Sequence, residues 1–239
     1  MKIVTVFPDN GRRSLPSIYG QYLLLDGETG ASLALLDGTT LTKRRTACAS
    51  ALASRYLSRI DSARLLMIGT GALAPHLIRV DSKVRPIQEV AIWGRRPEEA
   101  QRLAHELSSS LPTTLGRAVT VRAVADRQQA VRAADIVSCA TLSKAPLVEG
   151  AWLSEGQHID LVGAYTPEMR ESDDDAVRRA QVHVDTRTGA TDNIVADLFE
   201  LAPGERSGRP VSDGHSITLF KSVGAALEDL AAAELAVGR

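Results

Sequence analysis

The sequence predicts an α/β protein with a doubly wound parallel sheet, on three observations. Leu65-Leu-Met-Ile68 is an apolar run without alternation, the pattern of a strand covered on both faces. The run ends at Gly69 and passes at once into helical spacing at Leu73, Leu77 and Ile78. From 63 to 186, strand-like and helix-like stretches then alternate, as in successive βαβ units.

Taken in order, residues 1 to 61 stand apart from that alternation. Ile3 to Phe7 is rich in β-formers and stops at the turn signal Pro8-Asp9-Asn10-Gly11. Ile18 to Leu25 and Ala31 to Leu36 are apolar runs joined by Asp26-Gly-Glu-Thr-Gly30, which predicts a hairpin and a three-stranded meander. An Ala-rich helix over 41–58 follows, with Thr39 or Thr40 as its N-cap. Strands are expected at 64–68, 89–93, 119–123, 135–139, 158–162 and 181–184, with helices at 72–80, 97–110 and 126–133. The acidic run Asp173-Asp174-Asp175 reads as a helix N-terminus favoured by the dipole, with no metal site. The tail predicts a helix over 191–201, a Gly/Pro/Ser-rich loop from Pro203 to Gly214, a strand over 217–221 and a helix over 223–237.

The turn after the first strand of the alternating region carries chemistry. Gly69-x-Gly71-x-x-Ala74 joins strand to helix as a dinucleotide-binding turn does in its Ala-ended form. Gly69 permits the tight turn, Gly71 lets backbone approach a pyrophosphate, and Ala74 keeps helix close to strand. The helix start, with Thr70, Ala72 and Leu73 around it, offers N–H groups and a partial positive charge to phosphate. An NAD site carries an acid about 20 residues on, at the tip of the second strand. Here that strand ends in Trp93-Gly94-Arg95-Arg96, and two guanidiniums suit a 2′-phosphate. NADP(H) is therefore the expected cofactor, with NAD(H) as the lesser possibility. Ligands of open α/β sheets bind at the carboxyl ends of strands, which brings Cys139, Ala140, Thr141 and Leu142 toward a nicotinamide.

Composition excludes other classes. The 239 residues carry a net charge of −1 and 4% aromatics, which suits neither a nucleic-acid nor an acidic-membrane partner. No apolar stretch reaches membrane-spanning length and no signal-like leader opens the chain, so the expectation is a cytoplasmic globular protein. Cys48 and Cys139 lie in apolar or small-residue runs and read as buried thiols, not as a disulfide.

Four stretches together resemble a known family. Lys2-Ile-Val-Thr-Val-Phe-Pro8-x-Asn10, Leu41-Thr-x-x-Arg45-Thr46-Ala-x-Ala-Ser50, the glycine turn, and Phe220-Lys-Ser-Val-Gly224-x-Ala-x-Glu-Asp229 are similar to the ornithine cyclodeaminase/μ-crystallin family, in that family's order. The similarity is nearest to its Δ1-pyrroline-2-carboxylate and Δ1-piperideine-2-carboxylate reductases. It implies a Rossmann domain at 62–214 and a smaller α+β substrate and dimerisation domain from 1–61 and 215–239, and a homodimer. It also implies that Lys2 and Arg45 bind substrate near its carboxylate, as a guanidinium fork and a compact ammonium would, and it joins Val223 and Gly224 to the cofactor site.

Two departures from the family shape the functional expectation. The catalytic aspartate of cyclodeaminases has Tyr165 in its place, within Gly163-Ala-Tyr-Thr-Pro167. The chain also opens almost on the lysine motif, where family members carry a preceding segment, and 185–197 is short; a truncated start or a reduced substrate domain is the expectation. The expected activity is NADPH-dependent reduction of a cyclic imino acid to L-proline or L-pipecolate. Ornithine cyclodeamination with NAD and a non-catalytic NADP(H)-binding role are the alternatives. Lys2 is a candidate proton donor, His76 reads as an ordinary helix residue, and Asp229 fits capping or packing as well as ligand contact.

Overall fold

A computed structural model describes residues 1–13, 15–16, 18–187 and 194–238. The elements are β1 (Lys2–Val6), β2 (Ile18–Leu25), β3 (Ser32–Asp37), α1 (Gly38–Leu57), β4 (Arg64–Ile68), α2 (Ala74–Val84), β5 (Glu89–Trp93) and α3 (Pro97–Leu115). After them come β6 (Thr120–Ala123), α4 (Arg127–Ala133), β7 (Ile136–Cys139), β8 (His158–Leu161), α5 (Asp174–Arg179) and β9 (Ala180–Val184). The chain ends with β10 (Ala196–Asp197), α6 (Leu198–Leu201), β11 (Ile217–Lys221) and α7 (Ala226–Ala236). It forms two compact units: Met1–Thr46 with Ala225–Arg239, and Ala47–Gly224.

In the first unit, β1, β2 and β3 form the expected antiparallel meander, with Lys2 opposite Tyr22. The turn signal at Pro8 becomes a 3-10 helix over Pro8–Arg13. Asp26 organises the hairpin by accepting from the amides of Glu28 and Thr29. Helix α1 starts earlier than expected and neither threonine caps it. Asp37 accepts from Thr40 N at 2.8 Å, whereas Thr39 Oγ1 is taken by Gly20 N. Gly38 is needed there because a Cβ would meet Gly20 and Gln21 backbone at 2.7–2.9 Å. Tyr22, Leu24, Leu41 and Ala233 of α7 form this unit's core.

In the second unit all eight strands are parallel, in the order β10-β9-β11-β8-β7-β4-β5-β6. Leu65 and Met67 pack with α2 and α3, while Leu66 and Ile68 pack with residues of α4 and β8. All four are at most 1% exposed, which is why the run shows no polar alternation. One expectation is corrected: β11 is an inner strand of this large sheet, paired with β8 and β9, and not part of the chain-end domain. Its residues Ile217 to Phe220 are buried, and Phe220 joins Leu57 and Ala53 of α1 and Leu201 of α6 in a core of their own. The division falls inside α1 and after Gly224, whereas the family resemblance implies 61/62 and 214/215.

Local corrections have local causes. The helix expected over 191–201 is β10 followed by α6, because Asp197 forms a capping box with Glu200; residues 191–193 lie outside the described residues. Asp173 caps α5 by accepting from Ala176 N at 2.8 Å. Cys139 is buried, but Cys48 is exposed, since it occupies the face of α1 turned away from its buried neighbours Ala47 and Ala49. Neither cysteine is in a disulfide.

The last carbonyls of α1 end against arginines. Arg85 donates to the carbonyls of Ser54, Arg55 and Ser58, and Arg209 to that of Leu57. Beside them lie two buried carboxyl groups. Asp160 accepts from Ser50 Oγ at 3.0 Å and Ser138 Oγ at 2.8 Å. Burial raises Asp160 to about 7, and burial plus the charge of Asp160 raises Asp81 to about 8. Both values stand above the ordinary 3.8, so the folded chain holds extra protons in between. Their contribution is complete below pH 3.8 and is lost as pH rises through about 7 and about 8. Below pH 6.5 the buried His158 and His183, both lowered by burial, pull the other way, so the unfolding free energy should fall from about pH 6.5 to about 8, by up to about 1.4 kcal/mol per pH unit per excess proton. Denaturant titrations across this range should show a shallower fall for Asp81→Asn; an unaltered slope would contradict the assignment.

Candidate functional site

The parallel sheet places the carboxyl ends of β4, β5 and β7 side by side, and the predicted nucleotide residues meet there. Gly69 has φ +118°, and a Cβ on it would lie 2.6 Å from Ala140 O and 3.2 Å from Thr141 Cγ2. Its amide donates to Trp93 O at 2.9 Å, while Ala140 N donates to Ile68 O at 3.0 Å. A Cβ on Gly94 would meet Thr70 Cγ2 at 2.7 Å. Gly69, Thr70, Gly94, Ala140 and Thr141 are thus one packed group at the point where strand order reverses.

This group fits a dinucleotide. A Cβ at Gly71 would meet nothing within 4 Å, so the open side of the turn lies where a pyrophosphate needs it. Ala72 is exposed, and Leu73 heads α2 without any side-chain cap. Ala74 is fully buried against β4, as the third position requires. Arg95 and Arg96 are exposed directly after Gly94, and Arg96 is the extended residue before α3. None of the residues Trp93 to Arg96 that end β5 and follow it is acidic. Trp93 is half-buried there; its ring stacks on Arg127 at 4.8 Å and its Nε1 donates to Ala125 O.

Other predicted residues are placed differently. Cys139 is fully buried, burial and the nearby Glu171 push its thiol well up, and its carbonyl is taken by Val162 N. Val223 and Gly224 are exposed past β11, but their amides donate to the buried Asp185, at 2.9 and 2.6 Å. Leu142 and Tyr165 are exposed, and His76 is half-buried in the first turn of α2.

Two further residues, to which the sequence assigns no site role, support these loops. Glu171, 2% exposed, accepts from Thr141 N at 2.7 Å, Thr141 Oγ1 at 2.9 Å, Gly163 N at 2.8 Å and Ala164 N at 3.3 Å. It thereby ties the loops after β7 and β8, where a Cβ on Gly163 would collide with Thr141 backbone. Lys221 Nζ donates to the carbonyls of Leu161, Ala164 and Ser222. Burial pushes its ammonium below the ordinary lysine value, against the pull of Glu171, Asp160 and Asp185. A lysine ending the buried strand Ile217 to Phe220 is a readable signal; Glu171 carries none.

In the other unit, Lys2 and Arg45 are brought together with two carboxylates. Lys2 Nζ reaches both oxygens of Asp229, at 3.0 and 3.2 Å. Arg45 donates through one terminal nitrogen to Glu228 at 2.6 Å, and its Nε lies 3.1 Å from Asp229.

Comparison with known proteins gives a consistent result. The model of the ornithine cyclodeaminase/mu-crystallin family matches residues 1–238. Delta(1)-pyrroline-2-carboxylate reductase of Colwellia psychrerythraea is 39% identical over 254 residues, covering 99% of this chain and 78% of that protein. Ketimine reductase mu-crystallin of Rattus norvegicus is 32% identical over 98% of this chain and 74% of its own length. The Thermococcus litoralis Delta(1)-pyrroline-2-carboxylate reductase, solved with NADH and L-proline, superposes with a TM-score of 0.89 at 35% identity. That match covers 99% of this chain and 76% of that one.

Proposed function

The chain belongs to the ornithine cyclodeaminase/mu-crystallin family, and on that premise we propose that it reduces cyclic α-imino acids with NADPH. Δ1-Pyrroline-2-carboxylate and Δ1-piperideine-2-carboxylate would give L-proline and L-pipecolate. The observation that carries this reading is the glycine turn, open at Gly71 and framed by Ala140, in a chain matched from end to end by reductases of C=N bonds. Tyr165, in the place of the cyclodeaminase aspartate, argues against ornithine as substrate.

NADPH, when bound, supplies the hydride. The chain's part is to hold and orient. Thr70 to Leu73 and the start of α2 hold the pyrophosphate, with Trp93 and Gly94 along the ribose. Arg95 and Arg96 take the 2′-phosphate by charge-assisted hydrogen bonds. Ala140 and Thr141, kept in place by Glu171, bound the nicotinamide. Arg45 and Lys2 grip the substrate carboxylate. The exposed apolar residues Ile3, Val4 and Val6 of β1 and Tyr19 of β2 support a homodimer.

The test is to follow NADPH absorbance with five- and six-membered cyclic imino acids. Oxidation with either is expected; NADPH binding without turnover of either, or ammonia from ornithine and NAD, would overturn the reading. Arg95→Ala should raise the KM for NADPH about 10-fold or more while leaving NADH nearly unchanged, the effect of losing one hydrogen bond between charged groups. Equal losses for both nucleotides would remove Arg95 from the phosphate site.

A further inference from the structure

Resting on the imino-acid reading above, we propose that Glu228 and Asp229 recognise the ring N–H⁺ of the substrate, so that the site selects the zwitterionic iminium carboxylate. By sequence, Asp229 fits capping or packing as well as ligand contact. The structure removes capping: α7 has Ala225 before it and no side-chain cap. Asp229 instead faces Lys2 and Arg45, and Glu228 faces Arg45. The four side chains are 10–18% exposed, so each charge depends on its neighbours for solvation.

Two cations and two carboxylates make this cluster neutral, an odd arrangement for a site meant only to attract an anion. A ligand bearing a carboxylate alone must displace Glu228 or Asp229 from its partner and leave that acid buried and unpaired. A zwitterion avoids the cost. Its carboxylate takes donors of Arg45 and Lys2, its N–H⁺ takes the released acid, and every charge keeps a partner. The reactant iminium carboxylate and the product ammonium carboxylate both have this charge pattern. The iminium is also the form whose C=N carbon accepts hydride most readily, so a site that binds it needs no side chain to deliver the proton.

The experiment is calorimetric titration of the full chain, saturated with NADP⁺, with L-proline and with tetrahydrofuran-2-carboxylate. The second ligand keeps ring and carboxylate but has oxygen for the ammonium. The unaltered chain should bind L-proline about 10-fold or more tightly than the oxygen analogue, the worth of one charge-assisted hydrogen bond. In Asp229→Asn and Glu228→Gln, each checked for folding by its thermal melt, that preference should shrink. Affinity for the oxygen analogue should rise, since a cation has been released. A cluster that merely pins α7 to its neighbours predicts the opposite, with both ligands weakened in proportion; that result, or an unchanged preference, overturns the proposal. Equal binding of the two ligands by the unaltered chain sinks this inference alone, while binding of neither sinks the imino-acid reading with it.

Discussion

Arg45→Ala is expected to lower kcat/KM for the cyclic imino acid about 100-fold or more, chiefly through KM. Truncating one side of a desolvated, hydrogen-bonded charge pair costs about 2–5 kcal/mol, and each 1.4 kcal/mol is tenfold. Arg45 is well placed to show this, because its side chain is 13% exposed and already organised by Glu228 and Asp229. Arg45→Lys should recover little, since an ammonium cannot fork onto a carboxylate. Steady-state kinetics with NADPH saturating would check both variants. An Arg45→Ala enzyme with its KM unmoved would make Arg45 a brace between α1 and α7, with no part in holding substrate.

Glu171→Ala should lower stability by about 3–5 kcal/mol, the cost of breaking a buried charged network from one side. For a chain of this size that is roughly a 10 °C fall in Tm. The reason is the number of donors converging on one carboxylate. Thr141 N and Oγ1, Gly163 N and Ala164 N all lose their acceptor at once, and Lys221 loses a charge that offsets its burial. Glu171→Gln keeps one carbonyl oxygen but turns an NH2 toward N–H donors, so its loss should be intermediate. Thermal melts of both variants, with cofactor absent, provide the measurement; a Tm within a degree of the unaltered chain would refute the role assigned to Glu171.

Most of the strand pattern was legible because its causes are short-ranged. Leu65–Ile68 is buried on both faces, so every position is apolar; β2 and β3 are partly exposed, and Asp26 and Gly30 mark their turn. The glycine turn was legible for a steric reason, since only glycine tolerates φ +118° within 2.6 Å of a carbonyl oxygen. The start of α1 was misread because Asp37, an equally good cap, precedes the two threonines. The tail was misread where a two-residue strand and a one-turn helix share Asp197, too short for any period to register.

By itself, then, the sequence determined the alternation of strands and helices, the glycine turn after β4 and the guanidinium pair after β5, because each is set by residues within a turn or two of one another. Tertiary structure alone decided that β11 enters the large sheet between β8 and β9, and which charges meet. Lys2 finds Asp229 across 227 residues and Arg45 finds Glu228 across 183. Such partnerships leave no local trace, because a buried charge is satisfied by whichever opposite charge the fold brings within hydrogen-bond reach.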